Sequence, residues 1–144
     1  MVTANAWLTF AILSAIFAGL TAVFAKSGLQ GVDSDYALLL RTILVTCFLA
    51  PLVGFAGKWT NPLAVPPRAA LFILLSAIAT GLSWLCYFRA LQLGTVAQVA
   101  PIDKLSVAFA AVLAVAFLGE RPVAREWFGI SLIVAGALVI ASRK

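Results

Sequence analysis

Histidine is absent from the 144-residue sequence, and cysteine occurs only twice, at Cys47 and Cys86. With no imidazole and both thiols inside long apolar runs, no Cys/His ligand spacing exists, so neither a structural metal nor a disulfide framework is expected. Charge is also scarce. Ten basic and five acidic residues make up 10% of the chain, against about 25% in a soluble domain. There is no pair of deep carboxylates, no Gly-x-Ser-x-Gly nucleophile elbow and no phosphate-binding glycine loop, so neither an enzyme nor a cofactor is expected. The net charge of +5 would suit nucleic acid in a soluble protein. Here the basic residues gather at the ends of apolar runs, where they meet anionic lipid headgroups, and no nucleic-acid partner is expected.

What remains is apolar surface. Hydrophobic residues make up 64% of the sequence and the mean hydropathy is +1.12, more than a water-soluble fold can bury. A helix needs about 20 apolar residues to cross a hydrocarbon core of about 30 Å. The chain divides into five such runs: Ala6 to Ala25, Tyr36 to Phe55, Ala69 to Phe88, Val96 to Leu118 and Val123 to Ala141. This predicts an all-α polytopic membrane protein, with residues 1–144 forming one transmembrane domain. The last run carries Arg125 and Glu126 near its start, which puts that end in the headgroup layer with Trp127 as anchor. No basic residue precedes Trp7 and the first run exceeds a usual signal core, so it is expected to be a retained helix.

The breaks carry helix-ending chemistry: Gly28, Gly31, Asp33 and Ser34 in the first, Gly57, Asn61, Pro62, Pro66 and Pro67 in the second, Gly94 and Thr95 in the third, Gly119 and Pro122 in the fourth. Such short links predict antiparallel neighbours. Five spans place Lys58, Arg68, Arg121 and Arg125 on one side of the membrane and Lys26, Arg89, Arg143 and Lys144 on the other. Orientation follows an excess of Lys and Arg in short cytoplasmic loops, and this balance supplies little excess. Arg41 and Lys104, a turn or two inside their helices, add weight to the second side. Insertion in both orientations and a fixed orientation with the C-terminus inside both remain open.

The run Ala90-Leu91-Gln92-Leu93-Gly94, then Val99-Ala100-Pro101-Ile102-Asp103-Lys104-Leu105-Ser106, Phe117-Leu118-Gly119-Glu120-Arg121, and Gly129-Ile130-Ser131-Leu132-Ile133-Val134-Ala135-Gly136 resembles an EamA-type repeat of the drug/metabolite transporter superfamily. The segment ending Val23-Phe24-Ala25-Lys26 fits it less specifically. The resemblance covers essentially the whole chain and implies a single-repeat, five-span transporter of a bacterial or archaeal inner (cytoplasmic) membrane. It also implies an antiparallel homodimer, because larger members carry two inverted repeats in one chain. The balanced basic residues suit such a dimer. Small multidrug transporters, another branch, use a glutamate in their first helix. This chain has no acid before Asp33, which puts export of cationic drugs in doubt.

Inverted repeats set a substrate site near the midplane. Arg41 lies five residues beyond Tyr36, and Asp103 and Lys104 about seven beyond Val96, in two helices entering from the same side. At 1.5 Å per residue they stand roughly 7–12 Å from one face, similar enough in depth to pair. Charges inside the bilayer cost about 2.5–3.5 kcal/mol each and mark function by default. Two roles remain open for Asp103: a structural partner locking the second span to the fourth, or a proton-coupling carboxylate, with Arg41 and Lys104 drawing an anionic group of the substrate. Pro101 frees a backbone bond in the preceding turn. In the third span Ser76, Thr80, Ser83, Trp84 and Tyr87 recur at helical spacing. Ser83, Trp84 and Tyr87 are the expected substrate-lining residues, with helix contacts and the interfacial aromatic belt as the competing roles.

Ser106, Ala110 and Ala114 form a small-residue ridge, and Gly129 with Gly136 another, for packing within a subunit or across a dimer. Secondary transport of a small-molecule metabolite, proton-coupled and carboxylate-bearing or zwitterionic because Arg41, Lys104 and Arg89 outnumber Asp103, accounts for all these features together. A non-catalytic scaffold or accessory subunit, with lipids and partner proteins alone, accounts for the helices and ridges.

Overall fold

Residues 6–142 are described by a computed structural model. Arg143 and Lys144, used in the charge comparison above, lie outside the described residues, as do the first five residues of the N-terminal tail. The fold is all-helical, with no strand among the described residues. Helices α1 (Ala6–Gly28), α2 (Ser34–Phe55) and α3 (Pro67–Leu93) are continuous. The fourth span divides into α4 (Val96–Asp103), α5 (Ser106–Leu113) and a π-helical turn, Ala114–Leu118. Helix α6 (Ala124–Ala141) follows, and a 3-10 turn, Pro62–Ala64, lies between α2 and α3. Ala6–Gly28, Ser34–Phe55, Pro67–Leu93, Val96–Leu118 and Ala124–Ala141 are long and apolar enough to cross a membrane.

Helix ends run past the predicted apolar limits because capping, not charge, stops them. The Asp33 carboxylate accepts hydrogen bonds from the backbone N–H groups of Asp35 and Tyr36 at 3.0 and 3.1 Å, satisfying orphan donors of the first turn. Helix α2 therefore starts before Tyr36. Pro67 opens α3, where its missing N–H costs nothing. At the other end α3 continues through Arg89, whose long side chain carries its charge away from the apolar body. At about 1.5 Å per residue, α3 spans roughly 40 Å. That exceeds a hydrocarbon core of about 30 Å and accommodates tilt or ends in the headgroup layer. Gln98 Oε1 accepts from both the N–H and the hydroxyl of Thr95 at the start of α4, and Glu126 reaches back to the Val123 N–H at the start of α6.

The chain forms two compact units. One comprises the residues up to Val23 together with those from Leu93 onward; the other is Phe24–Gln92. In the first, α4 and α5 both pack against α6, and Ala137 of α6 is buried. Beyond Asp103 the backbone tightens: the N–H groups of Lys104, Leu105, Val107 and Ala108 each bond three residues back, not four. The span ends at Gly119, whose φ of 68° is open to glycine at no steric cost. The Gly119 N–H and the Glu120 N–H both reach the Ala114 carbonyl, closing the π turn.

In Phe24–Gln92 the buried residues are Leu29, Ser34, Leu38, Phe88 and Leu91, all near the end where α1 stops, α2 starts and α3 stops. From Pro51 to Thr80, Val65 alone of the described side chains is not exposed. Large apolar residues such as Phe48, Leu71 and Phe72 stand exposed on these helices, as lipid-facing surface does.

Candidate functional site

Three polar contacts gather at the buried end of Phe24–Gln92. Arg89 donates twice to Asp35, Nε to Oδ1 at 3.0 Å and Nη2 to Oδ2 at 2.6 Å, a bidentate geometry that fixes orientation as well as distance. Lys26 Nζ donates to the Leu91 carbonyl at 2.6 Å, placing a cation at the negative end of α3. Gln92 Nε2 donates to the Val32 carbonyl at 3.3 Å. The Asp35–Arg89 pair amends the charge count of the sequence: Arg89 is engaged by an acid in the first turn of α2, so it is no surplus cation for a substrate.

Six residues further along α2, the Arg41 guanidinium lies over the Trp84 ring of α3, 4.6 Å from its centroid, and 5.7 Å from that of Phe88. The aromatic faces attract the cation, an interaction worth about 0.5–2 kcal/mol depending on desolvation. No carboxylate pairs with Arg41 among the described residues. Adjacent to it is a cavity of about 430 Å³ lined by Leu38 and Thr42 of α2 and by Ile73, Ser76, Ala77, Thr80, Gly81 and Trp84 of α3. Thr42 Oγ1 donates to the Leu38 carbonyl of its own helix at 2.8 Å, leaving its oxygen as an acceptor. Trp84 thus has Arg41 against its ring and also lines the cavity. Chemically the arrangement offers an apolar body with three hydroxyls and a cation at its margin, suited to a small molecule with an anionic group.

In this unit the sequence-derived residues brought together are Arg41 and Trp84. Ser76 and Thr80 of the same stripe line the cavity, whereas Ser83, which is exposed, and Tyr87, half-buried, do not. By helical spacing Ser83 sits at the edge of the lining face, and Tyr87 lies on that face but further towards the end of α3. Thr42 was not singled out from the sequence. Its spacing from Leu38 places it on the α2 face that carries Leu38, the signal that could have found it.

In the other unit, Asp103 pairs with its neighbour Lys104 at 3.4 Å, with side chains 36% and 55% exposed. Adjacent residues on a regular helix do not face each other. Here Lys104 stands at the tightened turn, with φ −69° and ψ −7°, where the two side chains can meet. Pro101 has the effect expected upstream, since it can donate no hydrogen bond to the Ala97 carbonyl. The break itself lies downstream, beside the two charges. Glu120 and Arg121 form no ion pair among the described residues, and no three His, Cys, Asp or Glu side chains there cluster as metal ligands. Gly129 and Gly136 have nothing within 4 Å of where a Cβ would stand, so their ridge is not in close contact with any described residue.

Comparison with known proteins agrees with this architecture. The EamA-like transporter family matches residues 5–142. An uncharacterized transporter in the cobO 3' region of Sinorhizobium sp is 50% identical over 137 residues, 95% of this chain and 97% of that protein. Probable 4-amino-4-deoxy-L-arabinose-phosphoundecaprenol flippase subunits ArnE are 26% identical over 110 residues, 75% of this chain and 96% of theirs. They come from Yersinia pseudotuberculosis serotype O:1b and from Yersinia pestis Pestoides F. No solved structure matches the chain.

Proposed function

Since the chain belongs to the EamA-like transporter family, a membrane transporter family, we propose that it is a secondary transporter of a small carboxylate-bearing or zwitterionic metabolite in the inner (cytoplasmic) membrane. The observation that carries the substrate class is Arg41, held against Trp84 beside the cavity with no carboxylate partner among the described residues. An anionic group on the solute completes that cation, while the hydroxyls of Ser76 and Thr80 hydrogen-bond the remainder. Ser83 and Tyr87, on the same helix as Trp84, serve the same solute from positions outside this cavity. Asp103 acts as the proton-coupling group at the break in the fourth span, beside its partner Lys104.

The working unit is an antiparallel homodimer of one-domain chains, each contributing one EamA-like repeat across residues 1–144. The four-against-four split of Lys and Arg at the span ends, with Arg41 and Lys104 set deeper on one side, supports it, as does the uncovered Gly129–Gly136 ridge. A second arrangement follows from relatives named as flippase subunits. There the chain pairs with a different protein and its solute is a phosphate-bearing, lipid-linked one, for which the Arg41 guanidinium is equally fitted.

Reconstituted protein, screened with amino acids and small carboxylates for substrate-induced current, tests the proposal. Arg41→Ala with Lys104→Ala should abolish the response to any hit; a response that survives both substitutions would sink the anionic-group assignment. Cytoplasmic and periplasmic reporters fused after Lys144 separate the two assemblies. Signal on both sides supports the antiparallel homodimer, and signal on one side requires a distinct partner.

A further inference from the structure

Residues 24–92 are closed at one end and open at the other. Between the two ends lies the cavity. At the closed end Asp35 of α2 and Arg89 of α3 hold one another by two hydrogen bonds, in the stretch of each helix that also holds buried Leu38 and Phe88. The pair thus ties α2 to α3 on the side of the cavity where α2 starts and α3 ends. From these contacts we infer that Asp35 and Arg89 are the gate pair of the transport cycle: positioning residues that touch no solute but hold α2 and α3 together on one side of the membrane and part to open the cavity there.

Three observations favour a gate over a permanent fastening. Both side chains are largely exposed, 43% for Asp35 and 62% for Arg89, so water can replace each partner's bonds at small cost when the pair opens. Arg89 and Asp35 lie near the ends of their helices, where a small change in interhelical angle gives the largest separation. Two other ties at that end run from Lys26 and Gln92 to backbone carbonyls and link hinge and helix termini. Among the described residues, the Asp35–Arg89 pair is the ion pair that joins the side chains of α2 and α3. This inference rests on the transporter assignment but not on the identity of the solute.

The test uses the full chain in phosphatidylethanolamine/phosphatidylglycerol nanodiscs, without solute. In a Cys47→Ser background, spin labels on native Cys86 of α3 and on Leu39→Cys of α2, both positions exposed, report the separation of the two helices. Wild type should show a dominant short distance and a minor long one. Asp35→Asn should raise the long-to-short ratio about two- to fivefold, the range an exposed ion pair supports, and Asp35→Arg combined with Arg89→Asp should bring it back towards wild type. If Asp35→Asn does not fold, Arg89→Lys carries the test, keeping the charge without the two-pronged geometry, with an intermediate ratio expected. A ratio unchanged by Asp35→Asn or Arg89→Lys, or one that the charge exchange fails to restore, overturns the gate. Because no solute is present, failure of anion binding at Arg41 would leave this result unaffected.

Discussion

The second and fourth spans each carry an internal charge and an internal proline, yet one is a continuous helix and the other is broken. Helix α2 holds Arg41 near its start and Pro51 near its end and runs unbroken from Ser34 to Phe55. The fourth span holds Pro101 and the Asp103–Lys104 pair and is interrupted at Lys104–Leu105. Proline is therefore not what separates them. The difference lies in where each charge finds its partner. Arg41 finds Trp84 and Phe88 on a neighbouring helix, which leaves its own backbone free to stay regular. Asp103 and Lys104 find one another along the chain, a contact that regular helix geometry denies to adjacent residues. A charge answered across helices marks a rigid site. A charge answered along the chain marks a bend.

This contrast can be broken at several points. The largest effect is expected from Asp103→Asn in the fourth span: substrate-driven current should lose its response to an imposed pH gradient altogether, and current that still follows the gradient would remove Asp103 from the coupling step. Next comes Arg41→Ala, for which the apparent affinity for an anionic solute should fall about 10- to 100-fold, the range for a charged hydrogen bond, as read by titration calorimetry or induced current. Trp84→Ala should weaken the same binding roughly 2- to 30-fold by removing the ring under the guanidinium; an effect as large as that of Arg41→Ala would mean the ring holds the solute itself.

Pro101→Ala sharpens the comparison. It restores a donor to the Ala97 carbonyl and should raise thermal stability by less than the roughly 3 kcal/mol of a mid-helix proline. The Asp103–Lys104 turn should persist, seen as unchanged spin-label distances across residues 104 and 105. A straightened span would assign the break to the proline after all. The smallest effect is expected for Gly119→Ala, which forces a Cβ into left-handed backbone and should cost about 1–2 kcal/mol, measured as a lower midpoint of detergent-induced unfolding.

The five spans were legible in the sequence because bilayer thickness imposes a length that composition alone can meet. Their ends were not, since the termination rule used there was charge, and Lys26, Asp35, Arg68 and Arg89 sit inside helices whose backbones are already satisfied. Arg41 and Trp84 were both legible as deep, unusual residues, but their contact was not. The sequence offered Asp103 and Lys104 as partners of similar depth, and only the phase of α2 against α3 puts Trp84 beneath the guanidinium. Asp35 was missed for a related reason: it lies just ahead of the apolar run that starts at Tyr36 and drew no role from the sequence, although its carboxylate is what engages Arg89. Thr42 lay in an apolar run where a single hydroxyl carries little pattern. The broken fourth span was legible only in part, because Pro101 announces an irregularity upstream of where the turn occurs.

The π turn at Ala114–Leu118 holds one residue more than an α-helical turn needs. Relatives of this chain that are one residue shorter between Ala114 and Gly119 should therefore keep the same fold, with a plain α-helical turn at the end of the fourth span. Their small-residue ridge through Ser106, Ala110 and Ala114 would continue in phase to the helix end, whereas in this chain it stops. A single deletion there is thus a natural experiment in register: the lipid-facing side chains of Phe117 and Leu118 would rotate around the helix axis while the loop beyond Gly119 stayed where it is.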